Sequence, residues 1–290
     1  MDIQISFGIV ATYTIYAALI SSQILGKTSV QPLKVGLLFL ALLVSAVGFD
    51  LIDMTALGFI ALFAAAASLT GHSVKVVSVS AWLAITILAL AFAMHRVPGF
   101  HNALLFHSEG LGTSSLPYSL WANLDKAIAA VMIIWLMRGR INATSWKEFR
   151  RADLLIMAVG ISAILLLGYA LGLQLDLKFG QLTIAFFFFN FFITCIAEEA
   201  FFRLLVQDSL QRWIKGKYAG FTAWTVSAML FTLAHFHTGP GAAERLLLIF
   251  LAGLLYAGIY WRSRSFLTAV LTHFLLNFLH LTFFTYPASF

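Results

Sequence analysis

Residues 184–203 read IAFFFFNFFITCIAEEAFFR. The run from Ile184 to Ile196 is apolar on almost every face, and beyond it two adjacent carboxylates, Glu198 and Glu199, stand one helical turn before Arg203. A helix that is hydrophobic all round belongs inside a core or a bilayer. The alternation that a membrane barrel imposes on its strands is missing here and in Leu37 to Val47. The chain is therefore a helical one.

Similar apolar runs recur from Ile3 to Phe284 of the 290 residues. Hydrophobic side chains make up 61% of the sequence and charged ones 10%, against roughly 25% charge in a soluble domain. With a mean hydropathy of +0.93, a soluble globular protein is excluded. A helix crosses the hydrocarbon layer in about 20 residues. The segments 4–25, 35–49, 54–70, 76–94, 120–137, 152–171, 181–203, 219–236, 243–261 and 266–284 predict an all-α, polytopic membrane protein of about ten transmembrane helices, with eight as the lower count. The fifth carries Asp125 and Lys126 near its start and is expected to begin in the interface, burying only Ala127 to Met137. The connection 95–119 reads either as a re-entrant or interfacial element or as a plain extracytoplasmic loop. The opening MDIQISFG has no basic region and reads as the start of a first span, not as a cleaved signal.

The net charge is +6, and 13 of the 18 Lys and Arg residues fall in the odd-numbered loops. This excess is an orientation signal, not a nucleic-acid footprint. The positive-inside rule places the odd loops in the cytoplasm and both termini outside; the expected location is a bacterial cytoplasmic (inner) membrane, which the chain would cross many times. The basic stretch Arg138 to Arg151 separates two halves. No internal repeat is visible, which weakens a transporter reading.

Ionisable residues inside such spans are costly and must face protein, water or cations. On a helix Glu199 and Arg203 share a face, while Glu198 points about 100° away. Glu199 is expected to pair with Arg203, leaving Glu198 to face something else; the plainer alternative is a span end whose charges snorkel to the surface. A second polar group is His235, with His237 at the break that Gly239 and Pro240 impose. A third is His273 with Asn277, four apart on one face, which could equally be a structural contact between helices. His280 extends the same face. The lone Cys195, with no basic neighbour in sequence, reads as a small buried hydrophobe.

Three spans thus each hide a group of the kind that moves protons. Amide hydrolysis needs a base, a proton donor and an oxyanion donor, and carboxylate, histidine and asparagine supply them. Glu198, His235 and His273 also match the ligand types of hydrolytic Zn²⁺ sites, although no HExxH motif occurs. A non-catalytic membrane protein using these groups for binding or transport is the third possibility.

Taken together, the motifs resemble the signature of the CAAX protease and bacteriocin-processing family of intramembrane endopeptidases, also labelled abortive-infection proteins. EExxxR is met by Glu198, Glu199 and Arg203, FxxxH by Phe231 and His235, and HxxxN by His273 and Asn277. Two departures are Leu204, where many relatives have glycine, and His237 close behind His235. The resemblance implies a peptidase core at 150–285 with 1–149 as an accessory N-terminal bundle. It implies cleavage of a membrane-associated protein or peptide by water that Glu198 and His235 activate. His273 and Asn277 would stabilise the oxyanion, and Glu199 and Arg203 would organise the first helix. No cofactor is favoured; Zn²⁺ on Glu198, His235 and His273 is the alternative. Eukaryotic members trim prenylated CAAX proteins, but nothing in this sequence identifies a prenyl-cysteine substrate or an oligomeric partner.

One difficulty stands in the arithmetic. At 1.5 Å per residue, His235 lies about 24 Å from Ala219 but His273 only about 10 Å from Phe266. The three motifs can share one water only if a helix tilts or starts deeper, or if the first-motif helix continues through Gln207 and Gln211.

Overall fold

The computed structural model describes residues 3–25, 32–112, 115–141, 150–236 and 241–287. Among them, ten long helices follow the ten apolar segments in order. They are α1 (Phe7–Leu25), α2 (Pro32–Gly48), α3 (Met54–Leu69), α4 (Lys75–Ala93), α5 (Leu124–Leu136), α6 (Arg151–Leu171), α7 (Gln181–Trp213), α8 (Ala219–Ala234), α9 (Ala242–Ser263) and α10 (Phe266–Phe283). Six of these, α1, α4, α6, α7, α9 and α10, are long and apolar enough to cross a membrane. Helices α2, α3 and α8 are shorter apolar helices, and α5 has 13 residues. Leu37, Leu40 and Val44 on α2 and Val79, Leu83 and Ile87 on α4 are exposed, as the lipid-facing side of a membrane bundle must be.

The structure is not wholly helical. Strands β1 (Ala103–Ser108) and β2 (Tyr118–Ala122) pair antiparallel, so the connection 95–119 is partly a hairpin. The fifth segment begins as strand and turns helical only at Leu124. A loop with no helix of its own leaves its backbone N–H and C=O groups unpaired, and strand pairing satisfies them. A register shift between Leu104 and Phe106 places Leu105 and Phe106 both in the core.

The two ends of the bundle differ. At one end the C-terminal ends of α7 and α9, the start of α6 and the residues just after α5 and α9 meet through Arg140 to Asp208 at 3.2 Å, Arg262 to Asp153 at 2.7 Å and Arg264 to Gln211 at 2.7 Å. At the other end the hairpin gathers both terminal segments: Gln4 N–H donates to Leu105 O at 3.0 Å and Leu116 N–H to Pro287 O at 3.3 Å. Asp53, which caps α3 at this end, accepts from the N–H groups of Ala56 and Thr55, and these bonds hold its carboxyl below the usual carboxylate range.

Helix α7 is the axis of the molecule. It was expected to end at residue 203, yet it continues unbroken for 33 residues to Trp213. Gln207 and Gln211 interrupt the apolar run but not the helix, because Gln207 Nε2 donates to Ala257 O at 2.9 Å and Gln211 Oε1 accepts from Arg264. Two stretches, Asn190–Cys195 and Ala200–Gln207, are wound as π-helix, on either side of a single α-turn, Ile196–Glu199. Such wide turns reset which face each residue presents.

Candidate active site

The long α7 removes most of the depth conflict. Glu198 is 15 residues from Trp213, about 22 Å along the axis, close to the 24 Å expected for His235. Helix α10 in turn starts inside the protein, with Phe266 and Leu267 both buried.

The three motifs converge on one carboxylate. Glu198 Oε2 lies 3.6 Å from His235 Nε2 and 3.9 Å from His273 Nε2. It is buried and makes no hydrogen bond among the described residues. Both imidazoles are held by their other nitrogen: His235 Nδ1 is 2.8 Å from Phe231 O, and His273 Nδ1 is 3.0 Å from Glu199 Oε1. Since a carbonyl or a carboxylate can only accept, each Nδ1 carries the proton and each Nε2 points at Glu198. His237 lies outside the described residues, as do Gly239 and Pro240.

Glu199 and Arg203 pair as the four-residue spacing predicts, with Nε donating to Oε2 at 2.8 Å and both side chains fully buried. Arg203 Nη1 also donates to Ser227 Oγ at 2.9 Å and to Gln207 Oε1 at 3.3 Å. Its guanidinium carbon is 5.9 Å from the ring centroids of both Phe202 and Phe231. Phe231 therefore links the motifs: it touches Arg203, lies 4.5 Å from the His235 ring and meets His273 edge-on at 5.7 Å. Tyr256 stacks on the opposite helix's His273 at 4.5 Å.

Glu198, His235, His273 and Asn277 all line one cavity of about 570 Å³. Asn277 Nδ2 is 3.5 Å from Asn190 Oδ1 and 3.9 Å from Cys195 Sγ. Cys195 is buried, as expected, but it also donates to Asn190 five residues earlier at 3.2 Å, a contact that the π-turn spacing allows. His280 lines the cavity too, further along α10.

The sequence reading did not assign Lys126 to this site. Its Nζ is 3.5 Å from Glu198 Oε1, the oxygen turned away from the histidines. It comes from α5, where nearly every residue from Ala127 to Ile134 is buried and which packs against α7. The signal was present: an ionisable residue in an apolar run is a site candidate by default. Asn190, Ser227 and Gln207 were missed because single neutral polar residues in a long apolar run carry little weight.

Among the described residues, no group of three His, Cys, Asp or Glu side chains has the arrangement of a metal site. A comparison with protein families matches residues 180–279 to the model described as type II CAAX prenyl endopeptidase Rce1-like. This segment is similar to that family. The matched residues include all three motifs, from before Glu198 to just past Asn277, and leave Lys126 outside. Neither curated proteins nor solved structures give a match.

Proposed function

We propose that this chain is an intramembrane endopeptidase that cleaves a membrane-associated protein or peptide with a water activated by Glu198 and His235. The observation that carries this reading is the orphan Glu198 Oε2, buried in the cavity with the Nε2 atoms of two histidines within 4 Å. A water there can donate to two of these three acceptors without displacing any protein contact.

The chemistry follows from the protonation pattern. Water gives a proton to the Glu198–His235 pair as its oxygen bonds to the scissile carbonyl carbon, and the carbonyl π electrons move to oxygen. Asn277 Nδ2 and His273 face that oxyanion. Glu199, accepting from His273 Nδ1 at 3.0 Å, fixes the ring so that its Nε2 edge is turned towards the reacting carbonyl. Collapse of the oxyanion breaks the C–N bond, and the stored proton passes to the departing amine.

Zinc is a second reading, because ligating histidines also have their far nitrogen held by an acceptor. Against it, the Lys126 ammonium already neutralises Glu198, and a dication on the same carboxylate would face that charge. We favour the water without metal. The cavity extends past His280 to Leu116, Pro117 and Tyr286, so substrate is taken to enter from the hairpin end, opposite the arginine loops. By the charge rule that end is extracytoplasmic, which argues against a cytosolic prenylated substrate.

The test is cleavage of a membrane-anchored peptide library in proteoliposomes, read by mass spectrometry of new termini. The intact protein should generate them, and Glu198→Gln and His235→Ala should not. New termini persisting at the wild-type rate in Glu198→Gln would sink the mechanism.

A further inference from the structure

A second cavity, of about 450 Å³, lies far from the Glu198 cavity, where the C-terminal ends of α1, α3 and α5 meet the N-terminal end of α2. Its volume falls in the range of roughly 300–1,000 Å³ typical of small-molecule sites. Phe39, Ala64, Ala67, Val131 and Trp135 make its walls apolar. Two polar features break that pattern. Gln23 faces the cavity with both amide atoms buried and neither hydrogen-bonded among the described residues. An amide in that state is costly in a dry interior unless something supplies a donor and an acceptor. Arg138 also lines the cavity, its guanidinium 4.1 Å above the Trp135 ring and donating to Trp135 O. It is exposed and has no carboxylate partner among the described residues.

An apolar chamber, with an amide and a cation that find no partner of this kind among the described residues, describes one kind of ligand. It has a hydrocarbon chain, then a polar linkage, then an anion. The site also sits at the level where helices end and basic residues gather, which is where headgroups of a bilayer lie. We propose that this cavity binds an anionic phospholipid, with one acyl chain between α2, α3 and α5, the glycerol-ester region at Gln23 and the phosphate at Arg138. The ester carbonyl accepts from Gln23 Nε2, and a headgroup hydroxyl donates to Oε1. The zwitterionic counterpart carries the same chain but brings an ammonium towards Arg138.

Gly36 makes the proposal testable. It lines the cavity, and a Cβ built on it meets nothing within 4 Å. Gly36→Phe therefore adds bulk at the chamber wall from a position whose first side-chain carbon has open space, and glycine replacement inside a helix favours folding. Full-length protein, delipidated in detergent, would be given phosphatidylglycerol, phosphatidylcholine of the same chains, glycerol phosphate or inorganic phosphate. Native mass spectrometry then counts what stays bound. The expected result is one retained phosphatidylglycerol, at least tenfold over phosphatidylcholine, and neither free phosphate compound. Gly36→Phe should retain none while melting no lower than wild type, and Arg138→Gln should bring the two lipids to equal retention. Equal retention of both lipids by the wild type, binding of the free phosphates alone, or undiminished phosphatidylglycerol in Arg138→Gln would overturn it. Should Gly36→Phe melt early, Ala64→Leu replaces it as the filling variant and the Arg138→Gln result still decides.

Discussion

Lys126 Nζ stands 3.5 Å from Glu198 Oε1, joining residues 72 apart in sequence, and so a helix outside the Rce1-like segment supplies a charge to its first motif. The contact fixes the rotation of the carboxylate: with Oε1 on the ammonium, Oε2 is left towards both histidines. Lys126 does not line the cavity and acts through Glu198.

Lys126→Met should therefore lower turnover by roughly 10- to 100-fold, the size of a lost hydrogen bond to a charged group, with little change in KM. Lys126→Arg should restore most of it. The measurement is initial rate against peptide concentration. A rise in KM alone would mean that Lys126 touches substrate instead.

Arg203→Met should be a folding lesion. It leaves the Glu199 carboxylate buried without its cation, at a cost of about 3–5 kcal/mol, whereas Glu198→Gln leaves the surrounding fold intact. Thermal unfolding in detergent should separate the two variants clearly. Equal melting temperatures would remove the structural role assigned to the Glu199–Arg203 pair.

The contrast between these two pairs shows what the sequence could disclose. Glu199 and Arg203 are four apart, so helical geometry alone pairs them. Lys126 and Glu198 are paired by packing of distant helices, which no local pattern encodes. The same holds for the extent of α7: hydropathy ends the span near Arg203, since it counts Gln207 and Gln211 as water-facing, while the structure gives each a buried or cross-helix partner. The hairpin was hidden for the opposite reason, because its short apolar strands sit beside a true apolar helix and merge with it in any averaging window. His235, His273 and Asn277 were legible as motif members, but only the fold shows which nitrogen of each histidine is turned inward.

Topology can be checked with single cysteines in a Cys195→Ala background. Residues at Asp50, on the hairpin side, and Lys215, beyond α7, should be labelled from opposite faces of sealed vesicles, and Pro117 from the same face as Asp50. Labelling of Asp50 and Lys215 positions from one face would invalidate the arrangement of loops by charge.

Metal dependence has a direct answer. Active protein purified in detergent should keep its full rate after exhaustive chelation, with less than stoichiometric zinc by elemental analysis. A rate that falls with zinc removal and returns on zinc addition would replace the metal-free route while keeping the same four side chains.

The burial of Arg203 also constrains how the protein can be made. At the centre of a lone membrane helix, Arg and acidic side chains each cost roughly 2.5–3.5 kcal/mol on the biological insertion scale, and α7 carries three such residues within six positions. Glu199 and Arg203 pair within α7 and Lys126 precedes them, but two further partners, Ser227 on α8 and His273 on α10, follow later in the chain. Alone in lipid, α7 would keep the Glu199–Arg203 pair but lose the contacts that α5, α8 and α10 give to these charges. A chain cut before α10 is therefore expected to leave the Glu199 carboxylate without the imidazole that packs on it, so the last described helix completes the first motif's surroundings as well as its own.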